Sequence, residues 1–190
     1  MESLQFFADI KIPMTIVHVL SVVVGMGSAL LSDILFTFYA RDKKLSSHEI
    51  HTLGILSRIV WLSLIFIILS GVGLFFSDVP RYLDSVKFLG KMTIMTVLLI
   101  NGSLLHHYVW PRLGTRSFLT AQKNAGLRKI SFVSGAISVF SWVSVCILGV
   151  LSSVPISYAE LMGIYGGLLV ITIPGALLVE YLEFERKAEN

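Results

Sequence analysis

Histidine, aspartate, lysine and sulfur-bearing side chains stand inside long apolar runs of this 190-residue chain, and their spacing bears on what chemistry they could do. His18 lies within residues 12–38, a run dominated by Ile, Val, Leu, Phe, Met and small residues. Lipid offers an imidazole no partner, so a histidine there must find one inside the protein, and such residues mark ligand or proton sites. Counting from His18, the residues Ser21, Gly25, Ser28 and Ser32 follow at steps of three and four, which keeps one face of a helix. A face of small residues admits close approach by a helix or cofactor, which turns His18 toward the protein interior. Two roles suit it: ligand or proton carrier, or a hydrogen bond from helix to helix through a serine or a backbone carbonyl.

A second set follows the same logic. Lys91, Met95, Leu99, Gly102 and His106 are spaced four, four, three and four apart, again one helix face, while His107 points about 100° away. At about 1.5 Å rise per residue, His18 lies about 9 Å in from the nearer boundary. Met95, Cys146 and Met162 fall at a similar depth, with Lys91 nearer the surface. His106 belongs to the opposite end, where Asp33 and Arg58 lie at comparable depth and His51 sits at the rim. Asp33 and Arg58 suit a buried ion pair between two helices as well as a functional site. His106 and His107 stand near the headgroups, where hydration permits a structural role, and His48 and His51 flank a loop as solvated side chains.

Soft ligands gather toward the His18 end in the sequence reading: Met14, Met92, Met95, Cys146 and Met162. Thioether, thiolate and imidazole together suit Cu(I), although such side chains also fill apolar gaps. Cys146 is the single cysteine, so no internal disulfide follows.

The elements that must position these groups are membrane helices. The chain is 55% hydrophobic and 14% charged, with a mean hydropathy of +0.81, where soluble domains carry about 25% charged residues. Five apolar segments, about 12–38, 53–76, 88–109, 131–153 and 157–179, approach the length of a helical crossing. The expectation is one all-α membrane domain over residues 1–190, a bundle of five transmembrane helices. Residues 1–11 lack the features of a cleaved signal and read as an interfacial segment with Phe6 and Phe7 at the headgroups. The 110–130 loop is basic and suits an interfacial helix, residues 153–156 read as a tight hairpin, and Pro174 predicts a kink. Ser131, Ser134, Ser138 and Ser141 form a packing seam, and Gly163-x-x-x-Gly167 and Ser134-x-x-x-Ser138 suit close helix contact.

Charge orients the bundle. Arg41, Lys43 and Lys44 lie in the 39–52 loop; Arg112, Arg116, Lys123, Arg128 and Lys129 lie in the 110–130 loop; Arg186 and Lys187 end the chain. The other side carries Lys11, Arg81, Lys87 and Lys91, diluted by Asp78 and Asp84. The positive-inside rule then places the N-terminus outside and the C-terminus in the cytoplasm, in a cell membrane of the bacterial cytoplasmic type. The formal charge of +3 is carried in short loops, which argues against nucleic acid as a partner. No nucleophile–base motif or phosphate loop supports a hydrolase. The spans lack an acidic ring or repeated broken helices of the kind channels and transporters use.

Residues 10–112 resemble a family. The pattern is the first-span His18, Arg58 opening the second span, Leu69-Ser70-Gly71-Val72-Gly73, Lys87-Phe88-Leu89-Gly90-Lys91, and a helix closing in His106-His107. It is similar to the small membrane proteins that include the integral-membrane protoporphyrinogen IX oxidase and the copper-resistance-D-like proteins. The resemblance implies an α-helical bundle holding haem b, with His18 as axial ligand and Lys91 in the outer-end lysine position. The sequence around His18 departs from the oxidase pattern, lacking the Lys-x-x-His and following Trp, which sets porphyrinogen oxidation apart from haem binding.

The leading expectation is therefore a haem-b membrane protein in redox chemistry, transferring electrons or oxidising a quinol or porphyrin. Met95 or a second histidine is the candidate axial partner, Lys91 or Arg81 the propionate partner, and His106 with His51 a candidate for a second haem. Arg58 completes the candidate binding residues. A copper-handling or transport protein and a structural subunit without cofactor are the alternatives.

Overall fold

The computed structural model describes residues 10–40, 44–113 and 124–184. Every element among the described residues is helical. Five helices are long and apolar enough to cross a membrane: α1 (Lys11–Ala40), α2 (Ser47–Ser77), α4 (Val86–Leu113), α5 (Ala125–Val150) and α6 (Tyr158–Phe184). A one-turn helix, α3 (Val79–Leu83), bridges α2 and α4. The interfacial segment expected before residue 10 and the middle of the 110–130 loop lie outside the described residues.

Helix ends run beyond the apolar segments because polar groups cap or pair there. Ser46 and Glu49 form a capping box that starts α2 six residues before its apolar run: Glu49 N–H donates to Ser46 Oγ and Ser46 N–H to Glu49 Oε2. Ser157 and Glu160 exchange the same pair of bonds at the start of α6. Lys87 donates to the Leu151 carbonyl, satisfying an orphan acceptor where α5 ends. The expected 153–156 hairpin is present as the connection between Val150 and Tyr158, and Pro174 lies inside a continuous α6.

α1 and α2 pack as a close antiparallel pair, and α5 touches α1, α4 and α6, which makes it the central helix. Its serine seam allows this. Ser131, Ser134 and Ser141 are buried; the Asn101 amide donates to the Ser134 carbonyl, and the Ser141 and Tyr165 hydroxyls bond at 2.7 Å. Gly25 is required where α1, α2 and α5 meet, since a Cβ there would stand 2.8 Å from Trp142 and 3.0 Å from Ser63. Gly163 and Gly167 behave otherwise than expected. Both face open space, because α6 presents its glycines away from the bundle.

The core is layered along the bundle axis. Ile94, Leu148 and Tyr165 pack near the end where the described chain begins, hereafter the N-terminal end. Ala29, Leu64, Ile67, Met95, Leu98 and Trp142 fill the middle. Ala40, Val109, Leu113, Phe132 and Phe184 close the C-terminal end. Ile12, Val150 and Val170 are among many large apolar side chains left exposed, the surface a bilayer covers.

Candidate functional site

His18 is turned inward, as its small-residue face predicts. It is half-buried between α1 and α2, with Val17, Val19 and Leu20 exposed around it. Its Nδ1 lies 3.0 Å from Ser70 Oγ, and its ring passes over Gly71, where a Cβ would stand 3.5 Å from Cε1. The surroundings of Ser70 assign the ring proton. A hydroxyl has one hydrogen, and Ser70 Oγ is 2.5 Å from the Phe66 carbonyl and 3.2 Å from that of Ile67, groups that only accept. The hydroxyl proton is committed there, so the imidazole donates from Nδ1 and Ser70 accepts. A neutral ring held this way carries its lone pair on Nε2, the arrangement that suits a metal ligand.

Lys91 is half-buried and within electrostatic range of His18, so these two sequence candidates share one end of the bundle. Met95 is buried at 8% exposure in the apolar middle layer, beside Leu64 and Ile67. The other sulfur groups are dispersed. Met14 packs against Gly73, Met162 lies against Gly90 and the Tyr165 layer, and Met92 is exposed. Among the described residues, no three His, Cys, Asp or Glu side chains gather as a metal cluster.

The second candidate layer is built around a cavity. The backbones of α2 and α4 stay apart, and the gap holds a cavity of about 150 Å³. Asp33 and His106 both line it, together with Asn101 and all three tryptophans of the chain, Trp61, Trp110 and Trp142. Asp33 Oδ2 is buried and has no hydrogen-bond partner among the described residues. Gly135 makes room for this carboxylate, since a Cβ there would stand 3.1 Å from Oδ1. His106 stands at the mouth, exposed, with its ring edge-on to Trp61 at 6.5 Å between centroids. It is carried on a π-helical turn, Leu105–Val109, closed by the Trp110 N–H bonding to the Leu105 carbonyl. Such turns are rare and recur at functional sites.

Arg58 and His51 do not reach this cavity. Both are exposed on α2, and Asp33 makes no ion pair with Arg58. Helical phase explains it: Ser57 and Trp61 take the inward face, which leaves residue 58 about 100° around the helix.

One buried pair escaped sequence reasoning. Arg128, read as a loop charge, lies inside α5 and donates from Nε to Glu180 Oε1 of α6, at 5% and 0% exposure. Its guanidinium also stands 4.6 Å from the Phe184 ring centroid. The available signal was Glu180 itself, a carboxylate following an apolar run without an oppositely charged neighbour in its own span.

Compared with known proteins, the chain matches no family model, no curated sequence and no solved structure.

Proposed function

We propose that this chain is a haem-b-binding protein of a bacterial cytoplasmic membrane, N-terminus outside, serving electron transfer or oxidation of a quinol- or porphyrin-like substrate. The observation that carries this reading is the Ser70–His18 hydrogen bond, which leaves Nε2 as the ring's lone-pair atom. Bound haem supplies a reversible one-electron centre. His18 would hold the iron through Nε2. Ser70 fixes the tautomer and ring plane, as hydrogen-bonded partners of metal-bound histidines do. Gly71 leaves the ring room against α2. Lys91 brings positive charge for propionates to the same end.

The close seat of His18 on Ser70 and Gly71 also favours a second reading, in which the bond only fastens α1 to α2. One experiment separates them. Protein purified after expression with haem supplied is expected to show a Soret band that shifts on reduction, and His18→Ala is expected to lose it while remaining folded. Absence of any Soret band in the wild type would leave the fastening role standing alone.

A further inference from the structure

Hydroxyls inside membrane helices can bond to the carbonyl one turn back, and Ser21, Thr37, Ser103, Ser131 and Ser144 do so here. Ser32, Ser57 and Ser138 do not. They stand on α1, α2 and α5, all three line the cavity between α2 and α4, and none bonds to another described residue. Asn101 of α4 completes the set. It is buried at 6% exposure and its Nδ2 donates to the Ser134 carbonyl, but its Oδ1 has no partner among the described residues. Four helices thus turn unmet polar groups into one space.

Such a space selects water. An unmet buried hydroxyl or amide costs about 1–3 kcal/mol, and lipid supplies neither donor nor acceptor. A cavity of about 150 Å³ is well beyond the ~15 Å³ that one water requires. Two indoles bridge the gap from opposite sides and keep hydrocarbon out. Trp61 of α2 seats on Gly102 of α4, where a Cβ would stand 3.6 Å from its ring, and Trp110 of α4 seats on Gly54 of α2 at 3.1 Å. His106 leaves a polar mouth at the C-terminal end. Toward the N-terminal end the space stops at Leu64, Leu98 and Trp142 of the apolar middle layer. Asp33 Oδ2 is sealed from the cavity and plays no part in this selection.

From this arrangement we infer that the cavity is an aqueous half-channel. Water enters past His106, bonds to Ser32, Ser57, Ser138 and Asn101 Oδ1, and ends against the middle layer. At about 1.5 Å per residue, Leu98 lies about 12 Å along α4 from His106, so the water reaches the middle of the bundle. The half-channel brings solvent protons to the centre of the membrane from one side, and the apolar layer blocks a leak to the other. None of this depends on haem at His18, which lies beyond that layer.

Silver ion, small, charged and thiol-reactive, is the probe. In a full-length Cys146→Ser chain, single thiols are introduced by Ser57→Cys, Ser138→Cys, Ile94→Cys and Val170→Cys. Sealed vesicles of both orientations are exposed to the ion, and the thiols left unreacted are then measured with a maleimide. Ser57→Cys and Ser138→Cys are expected to react at least about ten-fold faster than Val170→Cys on the lipid face and Ile94→Cys in the dry core, because the thiolate that reacts needs water. They are expected to do so only when the ion meets the side that carries the C-terminus. In the unsubstituted chain, Trp142 at 1% exposure is expected to take up oxygen on brief X-ray radiolysis, which requires water against its ring. Equal rates at all four positions, reaction from either side alike, or reaction only after detergent has dissolved the membrane overturns the inference. An unoxidised Trp142 does the same.

Discussion

Arg128 and Glu180, on neighbouring helices, form an ion pair sealed inside the C-terminal end of the bundle. The pair ties α5 to α6, and Phe184 covers the guanidinium from one side. Glu180 Oε2 remains without a partner among the described residues, so half of the carboxylate is desolvated without return.

Removing one member strands the other charge. Glu180→Ala and Arg128→Ala are each expected to destabilise the protein by about 3–5 kcal/mol, whereas the double variant Arg128→Met with Glu180→Leu recovers most of that loss. Denaturant unfolding in detergent, followed by circular dichroism, gives the three values. Additive losses in the double variant would mean that the two charges do not act as a unit.

If His18 holds haem as proposed, Ser70 matters to its affinity without touching it. Ser70→Ala removes the acceptor that holds Nδ1–H of His18, and loss of such a partner costs about 10–100-fold in metal affinity. Titration of the haem-free protein, read at the Soret band, measures this against wild type. Equal affinities would show that the hydrogen bond does not orient the ligand.

Gly25 tests whether α1, α2 and α5 meet as closely as described. Gly25→Val places new atoms within contact of Trp142 and Ser63 and is expected to cost about 1–3 kcal/mol by overpacking. Gly163→Val, on the open face of α6, is the control and is expected to leave the unfolding midpoint near wild type.

The Ser141–Tyr165 bond fastens α5 to α6 at the other end. Tyr165→Phe leaves the fully buried Ser141 hydroxyl without this partner, at an expected cost of about 1–3 kcal/mol. Ser141→Ala combined with Tyr165→Phe is expected to cost less than the sum of the single changes, as the unfolding curves of all three variants would reveal.

Hydrophobic run length and helical phase made much of this molecule legible in its sequence. Five apolar segments gave five helices, and the step from His18 to Ser32 gave the inward face of α1, because lipid penalises any other orientation of polar side chains. The face shared by Met95, Gly102 and His106 likewise followed from spacing alone, and it lies toward the core and the cavity.

What spacing could not supply was the partner across each interface. Ser70 beneath His18, Glu180 beside Arg128 and Gly135 beside Asp33 depend on register between helices distant in sequence. The same register left Arg58 outside the cavity that its depth alone suggested, and scattered the sulfur groups that depth had gathered. Depth along a helix is fixed by counting residues, but contact also requires azimuth. Azimuth between helices is set by side-chain packing, which only the assembled bundle determines.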